Sequence, residues 1–357
     1  MVWPGLMARA LRSPFGTLPS GHAVDAVVLS NDRGMSATVI TFGARLQSVV
    51  VPDRNGVQAD VTPGFASIDG YLADPHYFGA TVGRFANRIA EGRFYLDGTE
   101  HSLDRNDGPH ALHGGICGFD KLPWKIVRCE ESSQNASVSM RLVSPDGDQG
   151  YPGRLSVTAT FSLDERDCLS IVYEATSDAP TIVNITNHAY WNLAGENAEA
   201  SADNHRLILP AEHFLPTANG VPTGERRAVK GTPFDFRQPR IIADALREMT
   251  DPSPGFDQCW IVSSEENRAV KWAATLLDPI SGRSFALHSN QAGLQFYSGN
   301  CFNGETGKSG RAYTARYALA FEPQAFPNSP NQPDFPATIL APGAVYRNEI
   351  LYCFDAQ

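Results

Sequence analysis

Alternation of apolar and polar residues dominates the chain and predicts β-strands. In the segment LSVTATFSL, residues 155–163, every odd-numbered residue is apolar and every even-numbered one is serine or threonine. Successive side chains of a strand point to opposite faces of its sheet, so this period of two predicts a half-buried strand. Residues 137–143 and 169–175 alternate similarly, and turn-forming residues separate the three segments. The region therefore predicts an antiparallel meander.

Helical periodicity is scarce elsewhere in the chain. Strand-and-turn spacing recurs at residues 37–56 and 344–354, and 31 glycines and 25 prolines are spread along the sequence. The best helix candidate, residues 243–250, is about two turns long, with Asp244 as its predicted cap. No alternation of strands with helices is visible, which argues against a Rossmann fold or a TIM barrel. The pattern predicts an all-β fold, a large antiparallel β-sandwich with very few short helices.

The chain shows no internal repeat, low-complexity tract or linker between residues 20 and 357. Large all-β folds often exceed the usual length of a domain, so 357 residues are compatible with one domain. We expect a single domain over residues 16–357, preceded by a loosely held extension over residues 1–15.

Charge and composition narrow the class of protein. The chain carries 29 Lys and Arg against 39 Asp and Glu, a net charge of −10, with no basic run, so we expect no nucleic-acid partner. No signal-peptide pattern and no window of about 18 apolar residues is present, so we expect no membrane association and a cytoplasmic location. The six cysteines include no CxxC pair, and we expect reduced thiols, mostly small core residues.

Two segments place a titratable residue among apolar ones. In NITNHAYWNL, residues 184–193, alternation puts His188 and Tyr190 on a polar face opposite Trp191. A lone histidine of this kind is either a hydrogen-bonded core residue or part of a sugar-binding groove. In ALAFEPQAFP, residues 318–327, Glu322 follows an apolar run and precedes a proline, which a central strand cannot accommodate. A carboxylate there lies where a strand leaves its sheet, a frequent position for catalytic groups.

Further candidates follow from residue type. The run at 79–94 contains Arg84, Arg88 and Arg93, which need ion pairs or a ligand, and Asn87 offers donors for sugar oxygens. His110 and His113 precede two glycines, but no further ligand at a metal-site spacing follows, so we expect no metal. The last two candidates, for which structural hydrogen bonds are an equal alternative, are Asp257 and Gln295. The segment GETGKSG resembles the tail of a P-loop, but Phe302 stands where the motif requires glycine, so we reject a phosphate-binding loop.

Six motifs occur in a fixed order, and together they are far more specific than any one of them. They are GRFANRI (83–89), LHGG (112–115), TNHAYWNL (186–193), GFDQ (255–258), LQFYSGN (294–300) and FEPQ (321–324). In this order the chain resembles the aldose 1-epimerase family, the galactose mutarotases, over roughly residues 15–355. Trp191 and Phe326 stand where other residues are more usual in that family. We expect the wall of the sugar pocket, and with it the preferred sugar, to depend on these two positions.

The resemblance implies a fold, an activity and a set of site residues. The fold is the galactose mutarotase-like β-supersandwich, and the activity is interconversion of the α- and β-anomers of free aldoses such as glucose or galactose, without a cofactor. The general acid falls on His188 and the general base on Glu322. The substrate-binding positions fall on Asn87, Arg88, His113, Tyr190, Asp257 and Gln295. We also expect Tyr190, Trp191 and Phe296 to pack against the apolar face of the sugar.

Several alternatives stay open at this point. The expected ligand is a monosaccharide, and the expected state is a monomer or homodimer. A non-catalytic carbohydrate-binding protein has the same fold. A hexose-phosphate epimerase needs extra cations, for which Arg84 and Arg93 are candidates. A glycoside hydrolase would use Asp257 and Glu322 as its pair of carboxyl groups.

Overall fold

The computed structural model describes residues 8–250, 255–263 and 269–357. These residues form 32 strands, two α-helices and five 3₁₀-helices. The first strands are β1 (Arg9–Thr17), β2 (Ala23–Ser30), β3 (Ser36–Ile40), β4 (Arg45–Pro52), β5 (Gln58–Asp60), β6 (Ala80–Val82), β7 (Arg88–Ile89), β8 (Arg93–Leu96), β9 (Thr99–Ser102), β10 (Ala111–Leu112), β11 (Lys125–Glu131), β12 (Asn135–Ser144), β13 (Leu155–Asp164), β14 (Cys168–Ser177), β15 (Thr181–Ile182) and β16 (Thr186–His188).

The second half of the chain completes the set. Its strands are β17 (Tyr190–Trp191), β18 (Arg206–Ile208), β19 (His213–Leu215), β20 (Thr217–Ala218), β21 (Val221–Pro222), β22 (Arg227–Ala228), β23 (Arg240–Ile241), β24 (Asp257–Ile261), β25 (Lys271–Leu277), β26 (Arg283–Ser289), β27 (Gly293–Tyr297), β28 (Asn303–Thr306), β29 (Ala312–Thr314), β30 (Leu319–Gln324), β31 (Ile339–Leu340) and β32 (Tyr346–Ala356). The helices are α1 (Ile68–Leu72) and α2 (Ile242–Arg247), and the 3₁₀-helices span Ala90–Gly92, Phe119–Lys121, Asp148–Gly150, Ala202–Asn204 and Ser329–Asn331.

Three sheets carry the fold. The nine-stranded sheet has the order β11-β12-β13-β14-β32-β26-β25-β18-β23, the six-stranded sheet β17-β30-β27-β24-β19-β22, and the five-stranded sheet β1-β2-β3-β4-β5. Neighbouring strands in these sheets pair antiparallel. The predicted meander is confirmed as β12, β13 and β14, and β13 buries alternate residues as its sequence indicates. The all-β prediction is likewise confirmed.

One large apolar core joins the three sheets. It contains Phe161 of the nine-stranded sheet, Trp260 of the six-stranded sheet and Val39 of the five-stranded sheet, each fully buried. Aromatic rings meet across the two larger sheets, with centroids 5.8 Å apart for Phe285 and Phe321. Burial of this much apolar surface fixes which face of each strand is turned inward.

Two details differ from the sequence-based expectations. The first is the extension predicted over residues 1–15, because Arg9–Thr17 is strand β1 and pairs with β2 along its length. Residues 1–7 of that prediction lie outside the described residues. The second is the helix cap, because α2 begins after Ile241, and Asp244 lies inside its first turn and pairs with Arg247. Neither α-helix in the described part of the chain has the length and hydropathy needed to cross a bilayer.

The expectation of six reduced, mostly buried cysteines is wrong. Cys168 and Cys353 form a disulfide between β14 and β32, where the antiparallel register sets them opposite each other. Their separation of 185 residues conceals this contact in the sequence. Cys259 is buried, and the exposed free thiols are Cys117, Cys129 and Cys301.

Candidate active site

One face of the six-stranded sheet supplies the floor of the site. In β30, Leu319 and Phe321 enter the large core, so the alternating Glu322 points to the opposite face. The same alternation in β17, β24 and β27 brings Tyr190, Asp257 and Gln295 to the face that carries Glu322. Core packing therefore decides the direction of the polar side chains.

The strand register then sets their spacing. Gln295 lies directly opposite Glu322, and Tyr190 and Tyr297 flank Ala320. His188 comes from the adjoining strand β16, which pairs with β6, and its Nε2 lies 3.6 Å from Glu322 Oε1. The exposed fractions of His188 and Glu322 are 5% and 2%. The predicted acid and base are thus brought together in one buried pocket.

Two loops cover this face and deliver the remaining predicted residues. Strands β7 and β10 pair, which brings Asn87 and His113 side by side. The Asn87 backbone N–H donates to His113 Nδ1 at 3.1 Å, and the His113 N–H donates to the Asn87 carbonyl oxygen at 3.2 Å. These reciprocal bonds fix the imidazole of His113 over the site.

The bond to Nδ1 also fixes the tautomer of His113. A backbone N–H needs a lone pair as acceptor, so the neutral ring carries its proton on Nε2 and presents a donor. His113, His188 and Glu322 have potential metal-ligand atoms within 4.8 Å of one another. A metal ion would need a lone pair on His113 Nε2, because Nδ1 is already occupied by Asn87. The three residues therefore fit a metal poorly and fit hydrogen bonding to an oxygen-rich ligand well.

Arg88 lies at the centre of a polar network beside the pair. Its Nε donates to Asp107 Oδ2 at 2.6 Å, and its Nη1 lies 3.8 Å from Asp257 Oδ2. Gln295 Nε2 donates to Asp257 Oδ1 at 2.7 Å. The network holds a cation close enough to Glu322 to oppose protonation of that carboxyl.

Burial dominates the electrostatics of the pocket. Desolvation raises the pKa of Glu322 well above its ordinary value, and the nearby Asp257 adds to this while Arg88 opposes it. Desolvation lowers the pKa of His188 to about 3, and it also lowers that of His113 well below the usual range. A neutral imidazole and a neutral carboxyl are therefore favoured in the pocket when it contains no ligand.

Two buried oxygens at the site have no hydrogen-bond partner among the described residues. They are Glu322 Oε2 and Gln295 Oε1, on directly opposed residues of β30 and β27. Buried polar atoms are nearly always hydrogen-bonded, so such a pair on one face indicates a site for hydroxyl donors. A sugar supplies donors of that kind.

The backbone around the pocket is in an unusual conformation. Tyr77, Asn87 and His113 have φ values of 61°, 64° and 51°, in the left-handed region that non-glycine residues rarely adopt. Each such residue costs about 1–3 kcal/mol and persists where surrounding structure holds it, commonly at functional sites. All three converge on the same pocket.

Tyr77 is a site residue that the sequence analysis missed. Its ring centroid lies 4.7 Å from that of His113 and 5.8 Å from that of His188, stacked on the latter. Asp74, whose side chain is fully buried, fixes the loop by accepting from the Phe78 N–H and from Arg45, both at 2.8 Å. No periodicity marks a loop tyrosine, so only its position beside a glycine-punctuated motif was available as a signal.

Several residues proposed from the sequence lie elsewhere. Trp191 and Phe296 are fully buried in the large core behind the sheet, so neither forms a wall of the pocket. Arg84 donates to the carbonyl oxygens of Pro152 and Gly153 and to the Ser144 hydroxyl, a structural role. The remaining two are Arg93, paired with Glu91, and His110, whose Nδ1 accepts from the Glu91 N–H.

Comparison with known proteins places these features in context. The sequence model of the aldose 1-epimerase family matches residues 25–353. Galactose mutarotase of Sus scrofa is 39% identical over 354 residues, covering 98% of this chain and 99% of the relative. Aldose 1-epimerase of Escherichia coli (strain K12) is 35% identical over 95% of this chain and 97% of its own. The solved structure of galactose 1-epimerase from Lactobacillus acidophilus NCFM superposes with a TM-score of 0.85 at 28% identity, covering 98% of this chain and 99% of that one.

Proposed function

The chain belongs to the aldose 1-epimerase family and is a carbohydrate isomerase that interconverts the anomers of aldoses, and from that premise we propose which residues carry the reaction. Glu322 is the general base and His188 the general acid. The single observation that carries the proposal is their 3.6 Å separation in a buried pocket. The hydroxyl and the ring oxygen of a pyranose are both attached to C1, so two groups this close together can serve both oxygens.

Ring opening requires two proton transfers. Glu322 removes the proton of the C1 hydroxyl, and His188 protonates the ring oxygen as the C1–O5 bond breaks. The product is an open-chain aldehyde. Rotation about C1–C2 then presents the opposite face of the carbonyl, and the ring closes with His188 and Glu322 exchanging roles. The anomer changes without net consumption of a proton, and the chain's own residues supply each step.

The electrostatics of the pocket suit this sequence. Opening converts a carboxylate and an imidazolium into a neutral carboxyl and a neutral imidazole. Burial favours the neutral forms, since it raises the pKa of Glu322 and lowers that of His188. The pocket therefore stabilises the open-chain state, while Arg88 acts in the other direction by favouring the carboxylate. Because burial and Arg88 act in opposite directions, the proton can reside on either Glu322 or His188.

The other site residues bind and orient the sugar in this proposal. Asn87, Arg88, His113 and Tyr190 surround the reacting carbon, and Asp257 and Gln295 face ring hydroxyls. Arg88 and His113 present donors to oxygens that gain charge, a contribution whose removal commonly costs about 10²-fold in rate. The substrate is a free monosaccharide. The preference among aldoses, the monomeric or homodimeric state, the cytoplasmic location and the single-domain organisation stay predictions from the sequence, and β1 extends the expected domain of residues 16–357 toward the N-terminus.

The alternative functions lose their support. A hexose-phosphate epimerase would use Arg84 or Arg93, but Arg84 is hydrogen-bonded to protein oxygens and Arg93 pairs with Glu91. A glycoside hydrolase would use Asp257, whose carboxylate accepts from Gln295 and faces Arg88. A binding protein without activity would not need a buried acid and base at catalytic spacing.

The proposal is tested by following the optical rotation of freshly dissolved α-D-glucose and α-D-galactose in a buffer with a chelator. We expect the wild type to accelerate the decay, and we expect Glu322→Gln and His188→Asn each to lower kcat by about 10²–10⁴-fold. A substitution of Asn187, the residue that precedes His188, would not serve as a control, because its side chain donates a structural hydrogen bond to the Gly79 carbonyl oxygen. The matched control is His213→Asn, an exposed histidine of β19, which belongs to the same sheet and lies between β24 and β22.

The outcomes separate the possibilities. Full activity in either site variant, with an unchanged melting temperature, would remove that residue from the mechanism. Sugar binding without any acceleration by the wild type would instead favour the non-catalytic binding protein. Release of nitrophenol from nitrophenyl glycosides would favour the hydrolase.

A further inference from the structure

The guanidinium of Arg88 is held by groups that the substrate does not supply. Asp107 Oδ2 accepts from its Nε at 2.6 Å, which leaves the two Nη groups for the site. Asp107 lies in the segment between β9 and β10, where its backbone forms an isolated antiparallel β-bridge with that of His110. The carboxylate is thus attached to the backbone that also carries His113.

A second element packs on the same guanidinium. Gly220 has a φ of 78°, and a Cβ added there would lie 3.0 Å from both Cζ and Nε of Arg88. The backbone of the loop between β20 and β21 therefore lies against the cation and leaves it little freedom. A Cβ at this position would crowd the guanidinium and displace it, and the left-handed backbone of Gly220 also favours glycine.

The opposite end of Arg88 faces the reacting groups. Its Nη1 lies 3.8 Å from Asp257 Oδ2, and its charge acts on Glu322. Arg88 and Asp107 also border an open groove of about 670 Å³, together with Glu91, Pro109, His110 and Asn219. The side chain of Asp107 is 36% exposed to this groove, whereas that of Arg88 is 19% exposed. Asp107 accepts from Nε and Asp257 lies nearest Nη1, so the two carboxylates contact different edges of the guanidinium.

We propose that Asp107 is a positioning residue of the reaction, which holds the Arg88 guanidinium in the orientation that serves Glu322 and the sugar oxygens. It acts through Arg88 and not on the substrate. The inference rests on the role proposed above for Arg88. An arginine side chain has many rotamers. A fixed acceptor at Nε restricts Arg88 to few of them and so holds its charge in one position.

A double-mutant cycle in polarimetry tests this inference. We expect Arg88→Ala to lower kcat about 10²-fold. We expect Asp107→Ala to lower kcat roughly 10-fold with KM nearly unchanged, since the lost interaction belongs to the transition state. Adding Asp107→Ala to Arg88→Ala should then change kcat by less than about twofold, because nothing remains to be positioned. Asp107→Asn keeps an oxygen acceptor for Nε–H and should retain most of the wild-type kcat.

The matched control is Glu91→Gln, which removes one negative charge from the same groove but from a residue paired with Arg93. We expect it to leave kcat unchanged. If Asp107→Ala does not fold, Asp107→Ser, which is too short to reach Nε, replaces it in the cycle.

Each remaining outcome overturns the inference. Three results would show that Asp107 does not act by positioning Arg88. The first is a wild-type kcat in Asp107→Ala, and the second is a multiplicative loss of kcat in the double variant. The third is a loss of kcat in Asp107→Asn that is matched by the loss in Glu91→Gln. If Arg88→Ala itself keeps wild-type kcat, the proposed role of Arg88 fails and the inference fails with it. Loss in Arg88→Ala combined with none in Asp107→Ala rejects the inference alone.

Discussion

His113 shows how a single hydrogen bond decides the chemistry available to a side chain. Three potential ligand atoms within 4.8 Å suggest a metal site by distance alone. The Asn87 N–H on Nδ1 changes that conclusion, because it assigns the proton of the neutral ring to Nε2. The residue then serves as a donor to an oxygen that gains negative charge. Residue identity and spacing alone do not distinguish these two uses of a histidine.

The pH dependence of the reaction follows from the His188 and Glu322 pair at this same scale. One proton shared by the two groups is the active state, in either arrangement. The pKa of His188 is lowered to about 3, so a second proton is added only in strong acid. The pKa of Glu322 is raised, so the shared proton is lost only at a pH well above the ordinary range of a carboxyl group.

We therefore expect kcat to stay nearly constant from about pH 4 upward through the range in which an ordinary glutamate ionises, and to decline only on the alkaline side. The measurement is kcat for α-D-glucose by polarimetry across the pH range, corrected for the spontaneous rate. A narrow optimum between the ordinary pKa values of glutamate and histidine, about 4.3 and 6.5, would contradict it.

At the scale of elements, the site depends on a close approach between two loops. Gly114 has a φ of 96°, and a Cβ there would lie 1.9 Å from the carbonyl oxygen of Gly83. Gly108 belongs to the same region and has a φ of 56°, but a Cβ there would meet no atom within 4 Å. Substitutions at Gly114 and Gly108 therefore distinguish the cost of a steric clash from the cost of a left-handed backbone.

We expect Gly108→Ala to destabilise the protein by about 1 kcal/mol, the cost of the left-handed conformation alone. Gly114→Ala should cost about 3 kcal/mol or more, because the backbone must also move. Its kcat should fall as well, since Gly114 follows His113 directly. Urea unfolding and polarimetry on both variants test this, and equal midpoints for the two would show that the close approach is not maintained in solution.

Elements also show what the sequence could predict. Alternation identified β12, β13 and β14 because each has one buried face, and it placed His188 and Tyr190 opposite Trp191 for the same reason. Tyr77 escaped notice because a loop has no period, and the position of its loop depends on the distant Arg45, which donates to Asp74. The disulfide escaped notice because the register of β14 with β32 is a property of the folded sheet.

At the scale of the whole molecule, the two chain ends contribute very differently. Strand β32 lies in the interior of the nine-stranded sheet, bonded to β14 on one side and β26 on the other, and buries Ile350 and Tyr352. Strand β1 is the edge of the five-stranded sheet, pairs with β2 alone within that sheet, and is mostly exposed. An interior strand is needed to join the two halves of its sheet, whereas an edge strand is not.

We expect removal of residues 346–357 to abolish folding, and removal of residues 1–17 to give a folded protein with a lower melting temperature. Thermal unfolding followed by circular dichroism and the yield of soluble protein measure both. Cys353→Ser is the control, because it removes the disulfide while it keeps β32. An unchanged melting temperature after removal of residues 1–17 would restore the interpretation of that segment as an extension.

The register of β30 links catalysis to packing in a further respect. Phe321 and Glu322 are adjacent and face opposite sides of the sheet, so a slip by one residue would exchange a core side chain for the base. No intermediate register exists in which Glu322 is only slightly displaced. A weakened core should therefore divide a population into fully competent molecules and inactive ones. Activity measured on such a preparation would count the correctly assembled fraction, much as titration of active sites does.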